Sequence, residues 1–273
     1  MFQIIKSYFK FLLNSKNQHG VHSPFVYDLV TKCFYDKTKH PEYEVLKNYR
    51  KSLLVNEKII EVTDFGAGSR VFKSNQRKIS AIAKNAGISP KRAELLFRIT
   101  NYFQPESVLE IGTSLGLATI ALSLGNKNSK IITLEGCPNT LNQCKLQLQI
   151  FNIKNVECLN TEFSNYLKKL QPATRNPQVT YFDGNHSKKA TLDYFELLLP
   201  TISNESIWIF DDIHWSKDME EAWEMIKNHS KVTVTIDTFQ WGIVFFRKEQ
   251  VKEHFIINPN KNISSYIFER IRL

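Results

Sequence analysis

Three short segments carry the side chains and bends with which this 273-residue chain could do chemistry. The first is Val108-Leu-Glu-Ile-Gly-Thr-Ser-Leu-Gly116, an apolar strand running into a bend of small residues with a helix beyond. Glu110 precedes the bend, and Gly112, Thr113, Ser114 and Gly116 form it. Glycines let backbone approach a ligand closely, and a helix start offers free N–H groups. The next strand, Lys130–Glu135, ends in an acid, which in a sheet of this class reaches ribose hydroxyls. The other two segments are Tyr181–Ser187 and Ile209–Trp215. They place Asp183, Asp211 and Asp212 at the ends of two later strands, with His186 and His214 just behind.

Three chemistries compete for the glycine bend. A dinucleotide site wants G-x-G-x-x-G; here Ser114 stands at the middle glycine and Leu117 follows Gly116, a poor pyrophosphate cradle. A hydrolase is suggested because Gly112-Thr-Ser-Leu-Gly116 matches G-x-S-x-G. That nucleophile normally follows several strands and an HGGG-type segment, whereas this one follows the first core strand. The third is a nucleoside ligand without a pyrophosphate, with one of Glu110 and Glu135 holding a cationic or amino group and the other the ribose. On the other side, three carboxylates brought together repel unless they are protonated, hydrogen-bonded or neutralised by a cation. Hard oxygen donors suit Mg²⁺, Ca²⁺ or Mn²⁺. His186 is placed to act as a base near neutral pH, with a supporting role as the plainer alternative.

The elements that must position these groups are regular from residue 105 onward. Strands at 108–112, 130–135, 156–160, 179–183 and 206–213 alternate with helices at 116–124, 139–151, 163–170, 188–199 and 216–228. That alternation predicts a parallel α/β sheet covered on both faces. Strands at 231–239 and 242–248 are joined too tightly for a crossover helix, so the last strand must run antiparallel. Residues 1–104 lack the alternation and read as a helical N-terminal cap, with helices near 2–13, 24–35, 41–52 and 77–103 and a short strand at 59–65. Residues 105–248 read as the ligand-binding core and 249–273 as a tail packed on it. A second glycine segment, Val62–Arg70, reads as a turn or acceptor-side loop.

Composition narrows the class. Hydrophobic residues make up 42% and charged residues 23%, which excludes wholesale disorder. No apolar run approaches the ~18 residues of a membrane span. Met1–Leu13 is broken by Lys6 and Lys10 and reads as an amphipathic helix rather than a secretion signal. Four cysteines without a C-x-x-C pair fit a reduced, cytoplasmic chain without structural zinc. The charge is uneven: residues 1–104 hold 18 Lys and Arg against 8 Asp and Glu, and the rest hold 18 against 19. The densest stretch, Arg70–Arg98, reads as a solvated helix face or as a surface for an anionic acceptor or nucleic acid.

The set E-x-G-x-x-x-G, the downstream Glu135 and the terminal hairpin resembles class I S-adenosylmethionine-dependent methyltransferases. Gly87–Leu124, with its Ser89-Pro90 helix start, is similar to the branch holding catechol and caffeoyl-CoA O-methyltransferases, including bacterial members without assigned substrates. The likeness spans roughly residues 85–248. It implies a Rossmann-like seven-stranded sheet and S-adenosylmethionine as cofactor. It implies that Glu110, Gly112, Thr113, Ser114 and Gly116 surround the methionine and ribose, that Glu135 holds the ribose diol, and that Asn160, Thr161 and Glu162 lie near the adenine. It also implies a divalent metal such as Mg²⁺ on Asp183, Asp211 and Asp212, binding two neighbouring acceptor oxygens. Asp183 and His186 are the expected catalytic pair, Asp183 also bordering the cofactor and His186 standing where the branch often has lysine; His214 and Trp215 are expected to shape the acceptor pocket. The expected activity is O-methylation of a small hydroxyl compound, anionic or neutral, by a chain that could pair through its N-terminal helices as a homodimer. The competing expectation is a silent methyltransferase fold that binds RNA or a protein partner through the basic N-terminal third.

Overall fold

The computed structural model describes residues 2–63, 72–170 and 176–259. Their arrangement follows from the alternation of apolar strands and capped helices. The N-terminal part holds α1 (Phe2–Asn14), α2 (Pro24–Leu29, continued by a π-helical turn at Val30–Phe34) and α3 (Glu42–Leu54). A two-stranded antiparallel ribbon follows, β1 (Ile59–Glu61) with β2 (Gln76–Lys78), and then α4 (Ile79–Asn85) and α5 (Pro90–Phe103). One helix was expected across 77–103. The structure divides it because Ser89 caps a new helix, accepting from the Arg92 N–H, and Pro90 takes its first position, where a missing N–H costs nothing.

The central sheet comprises β3 (Ser107–Ile111), β4 (Lys130–Glu135), β5 (Val156–Asn160), β6 (Val179–Phe182), β7 (Ile207–Asp211), β8 (Val234–Asp237), β9 (Trp241–Phe245) and β10 (Glu253–Ile256). Their order is β10-β8-β9-β7-β6-β3-β4-β5. All pairings are parallel except those of β9, which lies antiparallel between β7 and β8. The antiparallel strand is thus where the hairpin required it. The eighth strand, β10, comes from the tail and extends the expected seven. The connecting helices are α6 (Leu117–Gly125), α7 (Pro138–Ile150), α8 (Phe163–Leu167), α9 (Lys188–Leu198) and α10 (Lys217–Asn228).

Strand alternation sorts side chains onto two faces. Ile207 and Ile209 join one apolar cluster with α6, α7 and the N-terminal helices; Trp208 and Phe210 join the other, with α8 to α10. The N-terminal helices therefore share their core with the sheet. From β3 the chain winds first to β4 and β5, then returns to β6 on the other side. That reversal falls at the carboxyl ends of β3 and β6, the edge where ligands bind in sheets of this kind. No helix among the described residues is long and apolar enough to cross a membrane. All four cysteines are unpaired thiols.

Candidate active site

The glycine bend sits at that reversal and is held from three sides. The N–H groups of Gly112 and Thr113 both reach the Leu134 carbonyl, at 3.0 and 3.2 Å. Gly112 has φ +102°, and a Cβ there would stand 2.2 Å from the Asp183 carbonyl oxygen, so the bend lies directly on the end of β6. Gly116 opens α6 at φ +79° without a side-chain cap. A Cβ at Gly116 would meet Cys144 Sγ and Tyr49 Oη, both at 2.6 Å. Tyr49, wholly buried on α3, donates its hydroxyl to the Leu115 carbonyl at 2.8 Å and so props the bend from the N-terminal side.

Glu135 ends β4 and clasps this bend. Its Oε2 accepts the Ser114 N–H at 2.8 Å and its Oε1 the Cys137 N–H at 2.9 Å. Burial raises its carboxyl, and the backbone N–H bonds pull in the opposite direction. A carboxylate has about four acceptor positions, and the N–H groups of Ser114, Cys137 and Gly136 use three of them, so one remains for a ligand hydroxyl. Asn160 stands beside it at the end of β5, donating Nδ2 to the carbonyls of Glu135 (2.8 Å) and Gly136 (2.9 Å). The Thr161 N–H also reaches the Glu135 carbonyl, at 3.0 Å, and Glu162 opens α8. Glu135, Asn160 and Thr161 thus form one continuous rim, and Glu162 follows it in the chain.

Glu110 lies beneath the bend. It has no exposed surface, and its Oε2 accepts the hydroxyls of Thr119 and Thr133, each at 2.6 Å. Burial pushes its carboxyl up to about 8, against the pull of those two hydroxyls. As placed, its Oε2 braces β3 against β4 and α6, while its buried Oε1 has no hydrogen-bond partner. Folded, Glu110 keeps its proton through neutral pH; unfolded, it releases it near 4.5. The unfolded chain is therefore favoured progressively as pH rises between those values. The urea midpoint of the wild type is expected to fall over that window, and Glu110→Gln to remove Glu110's share of the slope. Equal slopes in the two proteins would show that Glu110 is ionised in the fold.

At the same sheet edge stand the acids of β6 and β7. His186 Nε2 lies 3.5 Å from Asp183 Oδ1, both side chains about one-quarter exposed (26% and 22%). Burial opposes the imidazolium, but the bond to Asp183 and the nearby Asp212 and Asp211 raise its pKa to about 9. Asp211 is deeper, with a side chain only 5% exposed. Its Oδ1 accepts Nη2 of Arg92 and the Asp212 N–H (2.7 Å), and its Oδ2 accepts the Tyr181 hydroxyl at 3.2 Å. Burial raises the Asp211 carboxyl and the Arg92 guanidinium opposes that rise. The guanidinium also lies over the Trp241 ring, 5.2 Å from its centroid. Asp212 takes a left-handed backbone at φ +55°.

The divalent metal expected on Asp183, Asp211 and Asp212 would have to share Asp211 with a fixed cation. Both oxygens of Asp211 already accept hydrogen bonds, one of them from a fixed cation. Among the described residues, no group of three His, Cys, Asp or Glu side chains is placed to hold a metal ion. His214 is likewise engaged. It bridges Glu220 (3.0 Å) and Asp237 (2.9 Å) and stacks on Phe239. Glu220 in turn accepts from Ser7 and Gln3 of α1, so the loop after β7 is tied to the first helix.

The basic stretch does not form one solvated face. Arg92 is buried against Asp211, and Arg98 donates to the carbonyls of Cys33 and Phe34 and to the Tyr43 hydroxyl. Lys78 pairs with Glu57, while Lys73, Lys84 and Lys91 lie at the surface. Arg70 and most of the second glycine segment, 64–71, lie outside the described residues. Sequence reasoning missed Arg92, Tyr49, Tyr181 and Trp241 as parts of the site. The one local signal was the Ser89-Pro90 helix start, which sets Arg92 on the first turn of α5.

Residues 109–213, from the glycine bend through the loop after β7, match a family model described as a methyltransferase domain. No curated protein matches the sequence. Solved structures share the fold. SAH-bound methyltransferase PaMTH1 of Podospora anserina aligns at TM-score 0.58 and 13% identity, over 83% of this chain and 97% of that one. TomG of Streptomyces achromogenes, an O-methyltransferase of tomaymycin synthesis in complex with SAM, aligns at 0.52 and 17%, over 60% and 82%. An O-methyltransferase of Bacillus cereus in complex with SAH aligns at 0.50 and 16%, over 77% and 92%.

Proposed function

We propose that this chain, whose residues 109–213 match a methyltransferase domain, binds S-adenosylmethionine at the glycine bend and methylates a hydroxyl oxygen of a small acceptor. The observation that carries the reading is the clasp of Ser114 N–H on Glu135, 2.8 Å, at the point where the sheet reverses direction. It sets a carboxylate with an open lone pair beside an uncapped helix start, at the sheet edge where a nucleoside would lie. The solved structures with SAM or SAH on the same fold support the choice of ligand.

The cofactor supplies an electrophilic methyl group. The chain has to bind it, orient the acceptor and manage one proton. Glu135 takes a ribose hydroxyl, the rim of Asn160, Thr161 and Glu162 borders the base, and Gly112, Thr113, Ser114 and Gly116 keep the bend low enough for close approach. We assign the acceptor's proton to the Asp183–His186 pair at the end of β6. With His186 protonated at neutral pH, Asp183 is the member of the pair with lone pairs open to an acceptor hydroxyl. Positioning of this kind is worth up to about 7–11 kcal/mol of barrier.

Titration calorimetry with S-adenosylmethionine tests the proposal. Saturable one-to-one binding is expected, and Glu135→Gln should weaken it about 10- to 100-fold, the loss of hydrogen bonds to a charged acceptor. No heat at millimolar cofactor, or equal affinity in Glu135→Gln, would end the assignment. Isotopic methyl transfer into cell-extract compounds, read by mass spectrometry, then separates ethers from methylated amines.

A further inference from the structure

We infer that Arg92 is the resident cation of the acceptor side of the site, standing in place of a divalent metal, so that acceptor recognition needs no pair of neighbouring oxygens. This rests on the methyl-transfer reading for its meaning but not for its geometry. Arg92 comes from α5 and meets Asp211 across 119 residues of sequence, with its side chain 13% exposed. Its guanidinium is sandwiched by chemistry specific to a cation: a carboxylate oxygen at one edge and the Trp241 ring at its face. Burial opposes its charge, and Asp211, Tyr181, Asp212 and Asp183 together outweigh that opposition.

A divalent ion needs several carboxylate oxygens turned toward one point at about 2.0–2.6 Å. Asp211 has none to spare on Oδ1, which takes the guanidinium and the Asp212 N–H, and Oδ2 faces the Tyr181 hydroxyl. A metal would also have to sit beside a guanidinium that cannot lose its proton in a protein. Metal chelation selects acceptors with two adjacent oxygens, because both enter the coordination shell. A fixed guanidinium supplies positive potential without that demand. Acceptors with a single acidic hydroxyl therefore fit this site as well as vicinal diols do.

Manganese titration of the full-length chain, followed by the loss of the free Mn²⁺ paramagnetic signal, tests the inference directly. The wild type is expected to bind no Mn²⁺ more tightly than on the order of 1 mM, the range of weak oxygen sites. Arg92→Met, close in length but uncharged, uncovers Asp211 and should bind Mn²⁺ at least about tenfold more tightly, as should Arg92→Gln. A wild-type Mn²⁺ site in the micromolar range, or affinity unchanged in a folded Arg92 variant, would overturn it. Should neither variant fold, the wild-type titration decides alone. Failure to bind S-adenosylmethionine would remove the proposed function, yet leave the Mn²⁺ result standing.

Discussion

Gly112→Ala is expected to destabilise the protein by about 2–5 kcal/mol and to abolish cofactor binding. Two independent costs meet at this position. Its φ of +102° is one that L-residues rarely adopt, a penalty of about 1–2 kcal/mol. The added Cβ would also stand 2.2 Å from the Asp183 carbonyl oxygen and 2.7 Å from its carbon, both backbone atoms. They cannot swing aside as a side chain does, because the Asp183 N–H is bonded to the Ile111 carbonyl at 2.8 Å. Relief requires parting β3 from β6, an overpacking cost of about 1–3 kcal/mol. The same parting displaces the bend and Asp183 together. A melting temperature lower by on the order of 10 °C is expected, with no calorimetric signal for S-adenosylmethionine. Gly87→Ala is the control, since its Cβ would meet only the movable end of the Leu117 side chain. If Gly112→Ala melts and binds like Gly87→Ala, the close approach of bend and strand is not what shapes the site.

Asp211→Ala should lose about 3–5 kcal/mol of unfolding free energy, the usual cost of stranding one member of a buried ion pair. Arg92 would keep the Trp241 ring but lose its carboxylate, and Tyr181 would lose its acceptor. Adding Arg92→Met removes the stranded charge, so the double variant should be more stable than Asp211→Ala alone. Urea denaturation of the wild type, both single variants and the double closes the cycle. Single effects that simply add, within about 0.5 kcal/mol, would show that the two side chains do not act as a pair.

Much of the site is local in the chain and was therefore legible. The bend from Gly112 to Gly116 is a strand followed by residues that tolerate positive φ and then by a helix, a pattern contained within nine positions. Glu135 and Asp183 fall at strand ends because each apolar run stops there, and a parallel sheet brings all such ends to one edge. The helices expected from 188 and 216 start where Ser187 and Ser216 accept N–H bonds, whereas the cap at Ser89 divided what was read as one helix over 77–103. The eighth strand was not legible: four residues at a sheet edge, Glu253–Ile256, contain one buried apolar side chain, Phe255, and carry no alternation strong enough to read.

The sequence by itself determined the α/β alternation, the glycine bend and the acids that border it, because each depends on propensities and periodicities spanning a few residues. Tertiary structure alone decided what those acids do. Packing removes Glu110 from water and pushes its carboxyl up, and Asp211 faces a guanidinium because Arg92, on the first turn of α5, reaches the carboxyl end of β7. In the sequence, Arg92 stands among lysines and arginines and reads as one more surface cation. Only the fold, by closing 119 residues of chain onto a single contact, turns it into the buried charge of the site.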